Sequence, residues 1–179
     1  MNIHVFVDNS NIWIEGKFAS AVNKGWADNL FEAHSKPASD PSWRIDFGKL
    51  IEFIVAGEVE NVKTAVLFGS KPPQADSLWS RARASGFDVT PLDRNVLNKE
   101  KAIDTGIVQR IDKCLYREAE VGDTFILVAG DKDFIHSIRA IKEEKMTAKI
   151  AFWGNASGEL IAEADEFIDL TPHIDKITY

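Results

Sequence analysis

Short, almost wholly apolar runs recur along this chain, each separated from the next by helix-like segments, and that alternation limits the fold more than any other feature. The runs are IHVFVD (3–8), VKTAVLFG (62–69), DTFILVAG (123–130) and TAKIAFWG (147–154), with a shorter one in FDVTPL. A strand with one face in water alternates apolar and polar residues, so runs this continuous fit strands covered on both faces of a parallel sheet. Between them lie NIWIEGKFASAV, DFGKLIEFIVAG (46–57), ADSLWSRARASG (75–86), the long amphipathic KAIDTGIVQRIDKCLYREAE (101–120) and DFIHSIRAIKEEKM; SGELIAEADEF and a short closing strand or tail follow. With right-handed crossovers this pattern predicts an α/β fold, a Rossmann-like three-layer sandwich. The 179 residues, 45% of them hydrophobic, suit one domain with a sizeable core. The least regular stretch is 23–44, which mixes Gly, Pro, Ser and Asn with Trp26, Phe31 and Trp43. Aromatics in so long a loop either stack on unpaired bases or pin the loop to the domain.

Four aspartates stand where a metal-dependent phosphodiester enzyme needs them. Asp8 closes the first apolar run, Asp104 lies in KAID, and Asp131 and Asp133 lie in LVAGDKDF. Ligands of open α/β sheets bind at the carboxyl ends of the strands. If strands 3–8 and 123–130 are neighbours, Asp8 and Asp131 end side by side there. Asp104, opening the long helix that leads into the second of these strands, can point into the same pocket, whereas Asp112 lies two turns deeper. Each aspartate alone is also an ordinary helix N-cap. Together they are expensive to bury unless a divalent cation offsets their repulsion. Asn11, with Asn9 and Ser10, could orient the Asp8 carboxylate or bond a phosphate, and Lys101 could meet a phosphate oxygen.

Composition removes several other classes. One cysteine, Cys114, excludes an internal disulfide and a thiolate zinc cluster, and the four histidines show no paired metal spacing. Any metal would have oxygen ligands, which suits Mg²⁺ or Mn²⁺. No apolar segment approaches a membrane span and no basic leader precedes the first strand, so a soluble, cytoplasmic protein is expected. The net charge of −7 argues against a surface made for general nucleic-acid adhesion. The charge is uneven, however: residues 71–117 carry nine basic against six acidic side chains, a net of +3, which leaves −10 elsewhere. A basic rim beside an acidic site suits a polyanionic substrate.

VFVDNSN, the KAID turn, LVAGDKDF and SGELIAEADEFIDL together resemble the NYN domain, a branch of the PIN-like nucleases that includes LabA-like bacterial proteins. The likeness runs from about Ile3 to Leu170. It implies a parallel sheet of order 3-2-1-4-5, an acidic site for Mg²⁺ or Mn²⁺, and endonucleolytic hydrolysis of RNA, single-stranded RNA being the expected partner. Asp8 matches the family's first acid, Asn11 the asparagine after it, Asp104 the acid of the helix block, and Asp131 and Asp133 the acids of the fourth-strand block. The 23–44 insertion lies outside the family's core pattern. The oligomeric state is open, a homodimer included.

Two rivals remain. A non-catalytic RNA- or protein-binding module could use the same crevice. A haloacid-dehalogenase-type phosphatase also sets an Asp after its first strand, but needs a second Asp two residues on, where this chain has Ser10. Dinucleotide binding lacks its glycine-rich turn, because VDNSNIWIEG has no GxGxxG.

Overall fold

Six parallel strands form one sheet in the order β3-β2-β1-β4-β5-β6. They are β1 (Ile3–Asp8), β2 (Val62–Ser70), β3 (Asp88–Leu92), β4 (Thr124–Val128), β5 (Thr147–Phe152) and β6 (Glu166–Asp169). The structure is a computed structural model that describes residues 1–70, 77–92 and 99–179, without the side chains of 70, 91, 92 and 99–103. The expected order 3-2-1-4-5 is present, and β6 extends it by one strand at the outer edge.

The helices are α1 (Asn9–Asn23), α2 (Leu30–Ser35), α3 (Phe47–Ile54), α4 (Ser77–Ala84), α5 (Lys99–Arg117), α6 (Ile135–Glu143) and α7 (Gly158–Glu163). Right-handed crossovers put α1, α3 and α4 on one face of the sheet and α5, α6 and α7 on the other. The packing agrees: α3 touches α4, while α6 touches both α5 and α7. Every residue of β1 and of β4 is buried, as strands with helices on both faces require.

The chain leaves β1 towards β2 and β3, then returns through α5 to β4 on the other flank of β1. That reversal parts the helices and opens a crevice at the carboxyl ends of β1 and β4. In register, Asp8 lies beside Phe68 of β2 and Val7 beside Val128 of β4.

The irregular 23–44 stretch contains one short helix, α2, capped by Asn29, whose side chain accepts from the Glu32 N–H at 2.9 Å. Its return to the body is fixed by buried Asp40, which accepts from Ser20 Oγ and Lys24 Nζ, each at 2.6 Å, and from the Ser42 N–H and hydroxyl at 2.9 and 2.6 Å. Burial alone would raise the Asp40 pKa, but the bonds from Lys24, Ser20 and Ser42 hold it well below the usual carboxylate range. Trp43 is buried edge-on against Trp153, with ring centroids 5.7 Å apart. Its Nε1 donates to Thr178 Oγ1 at 3.0 Å. Trp43 therefore pins the loop, whereas Trp26 and Phe31 stay exposed at 52% and 84%. Gly16 of α1 makes room for this pair, since a Cβ there would come within 2.3 Å of the Trp43 ring.

Candidate acidic site at the carboxyl edge of the sheet

Asp8 is the last residue of β1 and the N-cap of α1, so the strand-to-helix switch itself places its carboxylate in the crevice. Its Oδ1 accepts the Asn11 N–H at 3.1 Å, and only 4% of the residue is exposed. Burial raises its pKa from the ordinary 3.8 to about 6. Backbone N–H groups of Asn11 and Ser10 pull it down, and the charges of Asp104 and Asp131 push it up again. Asp104 and Asp131 thus lie near enough for their charges to act on Asp8.

Asp104 reaches the crevice from the opposite face of the sheet. The long helix starts at Lys99 rather than at the KAID turn, so Asp104 stands in its second turn, half-buried, and does not open it. Asp131 follows β4 by three residues in extended backbone, exposed, and caps a 3-10 turn over Lys132–Phe134, its Oδ1 accepting the Asp133 N–H at 3.1 Å. Asp133 is exposed on that turn. Gly130 lets the Asp131 loop sit against β5, for a Cβ there would lie 2.3 Å from the Phe152 ring. Asn11 contributes its backbone N–H to Asp8, and its side chain is half-exposed. Lys101 lies in the first turn of α5, and its side chain falls outside the described residues. Among the described residues, no three His, Cys, Asp or Glu side chains stand together as a group able to hold a metal ion.

Two further polar groups border the crevice. Asn9 is 7% exposed, and its Oδ1 is buried with no hydrogen-bond partner among the described residues. A Cβ on Gly69 would meet both the Asn9 side chain, at 3.2 Å, and the Trp79 ring, at 2.8 Å, so α1, β2 and α4 converge here. Trp79 Nε1 is likewise buried and without a partner among the described residues. Asn9 was visible in sequence beside Asp8, but its burial was not. Trp79 carried no signal beyond an aromatic on a helical face.

The other end of the sheet holds a second polar cluster that the sequence did not reveal. His4 Nε2 lies 3.2 Å from Asp123 Oδ2, and His4 Nδ1 lies 3.0 Å from Thr64 Oγ1 and 3.2 Å from Cys114 Sγ. Burial lowers the His4 pKa and raises that of the Cys114 thiol to about 11, so both are neutral near pH 7. Cys, His and Asp in such contact suggest nucleophilic catalysis on paper, but Cys114 and His4 are each 0% exposed. A thiol held protonated and out of reach of substrate is an inert one.

The family model for the NYN domain matches residues 2–171. The chain belongs to the NYN domain family, within the PIN-like nuclease superfamily, and membership points to a nuclease-like, RNA-related function. Among solved structures, a protein of unknown function from Vibrio parahaemolyticus RIMD 2210633 is similar at 17% identity over 99% of this chain and 96% of that one, with a TM-score of 0.63. The likeness shows a shared fold. Aspartate aminotransferase from the cytoplasm of Saccharomyces cerevisiae matches at 16% identity over 73% of this chain and 32% of that one, but a TM-score of 0.28 is too low to bear on this protein. No curated protein matches the sequence. No helix among the described residues is long and apolar enough to cross a membrane.

Proposed function

We propose that this protein hydrolyses RNA phosphodiester bonds in the acidic crevice, cutting single-stranded RNA internally with the help of Mg²⁺ or Mn²⁺. The observation that carries the reading is Asp8: a buried carboxylate, raised to about 6, with Asp104 and Asp131 as like charges around it. Such a group costs stability beyond what its capping of α1 returns, and perturbed carboxylates of this kind cluster at functional sites, which supports the reading. The donor set fits a hard divalent cation, because every candidate ligand is a carboxylate oxygen and Mg²⁺ keeps several waters beside few protein ligands. Asp8, Asp104 and Asp131 would hold the ion and Asp133 would assist. A bound ion supplies an activated water and stabilises charge developing on the scissile phosphate.

The chain's own residues do the positioning. The Asn11 N–H fixes the Asp8 carboxylate, and the Asp133 N–H fixes that of Asp131. Asn11 and Lys101 would orient the substrate phosphate. One observation favours the second reading, a non-catalytic RNA-binding module: the described carboxylates do not form a closed metal-binding group.

Incubation with end-labelled single-stranded RNA in Mn²⁺, Mg²⁺ or EDTA separates the two. The expected result is metal-dependent cleavage, lost in folded Asp8→Asn and Asp131→Asn. Binding without cleavage in any metal would establish the module.

A further inference from the structure

We infer that the groove between α1 and α4 is a binding site for a segment of single-stranded RNA, continuing the substrate path from the acidic crevice onto the face of the sheet that carries these helices. The inference rests on the proposed RNA substrate but assigns it a surface that the carboxylates do not define. The groove encloses about 440 Å³ and is lined by Trp13, Arg44, Ile45, Phe47, Leu78 and Arg81 among others. Ile45 and Phe47 are buried, while both arginines are exposed at its rim. An apolar floor with a cationic rim is the arrangement that takes a nucleic-acid strand, bases inward and phosphates outward.

The charges around it support that occupant. Lys17 Nζ lies 3.3 Å from the centre of the Trp13 ring, and Arg81 stacks over Tyr179 at 5.3 Å. Arg44 spends its guanidinium on the backbone carbonyls of Pro41 and Trp43, at 2.8 and 2.7 Å. No ion pair among the described residues takes up any of the three cations. Lys17 and Arg44 stand close enough for Arg44, after burial, to lower the Lys17 pKa. In a chain of net charge −7, three neighbouring cations with no ion-pair partner among the described residues make a local anion site.

The groove also has the right address. Asp8 caps α1, and Trp13 lies five residues further along it, about 7.5 Å along the helix axis. Asn9, Gly69 and Trp79 meet where the two helices begin, so the first turns of α1 and α4, which line the groove further on, start beside the crevice. A strand whose scissile phosphate faces Asp8 would lay its neighbouring nucleotides along Trp13, Leu78 and Arg81.

The test measures binding apart from cleavage. A fluorescein-labelled single-stranded oligouridylate is titrated in EDTA with the full chain, with Lys17→Gln, Arg81→Gln and Trp13→Ala, and with Asp8→Asn as the crevice control, over a range of salt. Each charge variant should weaken binding several-fold and lower the salt slope by about 0.7, and Trp13→Ala should weaken it about tenfold. Asp8→Asn should bind at least as well as the parent. Groove variants that bind and respond to salt like the parent, or a parent that does not bind the probe, would overturn the inference. If binding follows the groove and no metal supports cleavage, the hydrolytic reading fails while the groove stands.

Discussion

Replacing Asp8 by Asn removes a charge that the fold holds at a cost, and the size of that cost can be worked out. The unfolded chain releases the Asp8 proton near the ordinary 3.8 and the folded chain near 6, burial being the main cause and Asp104 and Asp131 adding to it. Folding therefore favours the protonated form. The penalty is absent below pH 3.8, grows through the window from 3.8 to 6, and is complete above it, at about 3 kcal/mol. Asn caps a helix as well as Asp does, but it gives up about 0.5 kcal/mol of attraction to the helix dipole. In EDTA at pH 8 the variant should be more stable by about 2.5 kcal/mol. The gain should shrink to about 1 kcal/mol at pH 5 and vanish near pH 4. Urea denaturation reads this directly, as a midpoint raised by about 1 M at pH 8 for a slope near 2 kcal/mol/M. Mn²⁺ should then raise the midpoint of the parent by mass action and leave the variant almost unmoved. A variant no more stable than the parent at pH 8, or a difference that ignores pH, would refute the claim that Asp8 is a strained carboxylate awaiting a cation.

Other substitutions test the surrounding scaffold. Gly16→Ala should destabilise by about 2 kcal/mol or more in thermal or urea melts, because the new methyl meets Trp43 at 2.3 Å and Trp153 at 2.9 Å, and both rings are buried. Asp123→Ala should cost about 3 kcal/mol at pH 7, since it strands the Asn2 and Glu120 N–H groups and His4. Those bonds hold the Asp123 pKa below the ordinary range despite burial, so its stabilisation is present above pH 3.8 and lost on further acidification. The difference between Asp123→Ala and the parent should therefore narrow below pH 4 in acid titrations followed by circular dichroism. Cys114 should resist thiol reagents at pH 8 in the native protein and react at once in denaturant, given full burial and a thiol pushed up to about 11.

The apolar runs predicted the central strands because β1 and β4 are covered on both faces, and full cover favours apolar residues and admits polar ones such as His4 only with partners. The edge strand β6 was less legible. EFID is half-exposed along most of its length, and the sequence offered it only as a closing strand or tail. Helix α2 was hidden among Gly and Pro, although Asn29 and Glu32 sit at capping spacing and do make that bond. The start of α5 at Lys99 moved Asp104 from a helix opening to a second turn. That shift weakens helix capping as an explanation for this aspartate, since a cap lies outside the first turn.

Position alone does not separate a carboxylate the fold satisfies from one it strains, as Asp8 and Asp123 show. Both are buried, both border central strands, and at 4% and 3% exposure they are equally dry. Around Asp123 the fold supplies Asn2 through backbone and side chain, the Glu120 N–H and His4, and the charge is held more firmly than in water. Around Asp8 it supplies two backbone N–H groups and then brings in two more acids, and the charge is held less firmly. Donors for Asp123 come from residues 119 to 121 positions away as well as from the adjacent turn, so no local pattern announces them. Asp131 was legible beside Asp8 because sheet topology, not side-chain detail, collects strand ends at one edge, whereas Asp104 comes from a helix whose start the sequence misplaced. Topology locates a crevice, and the balance of donors against like charges and burial decides whether a buried aspartate holds its charge more or less firmly than in water.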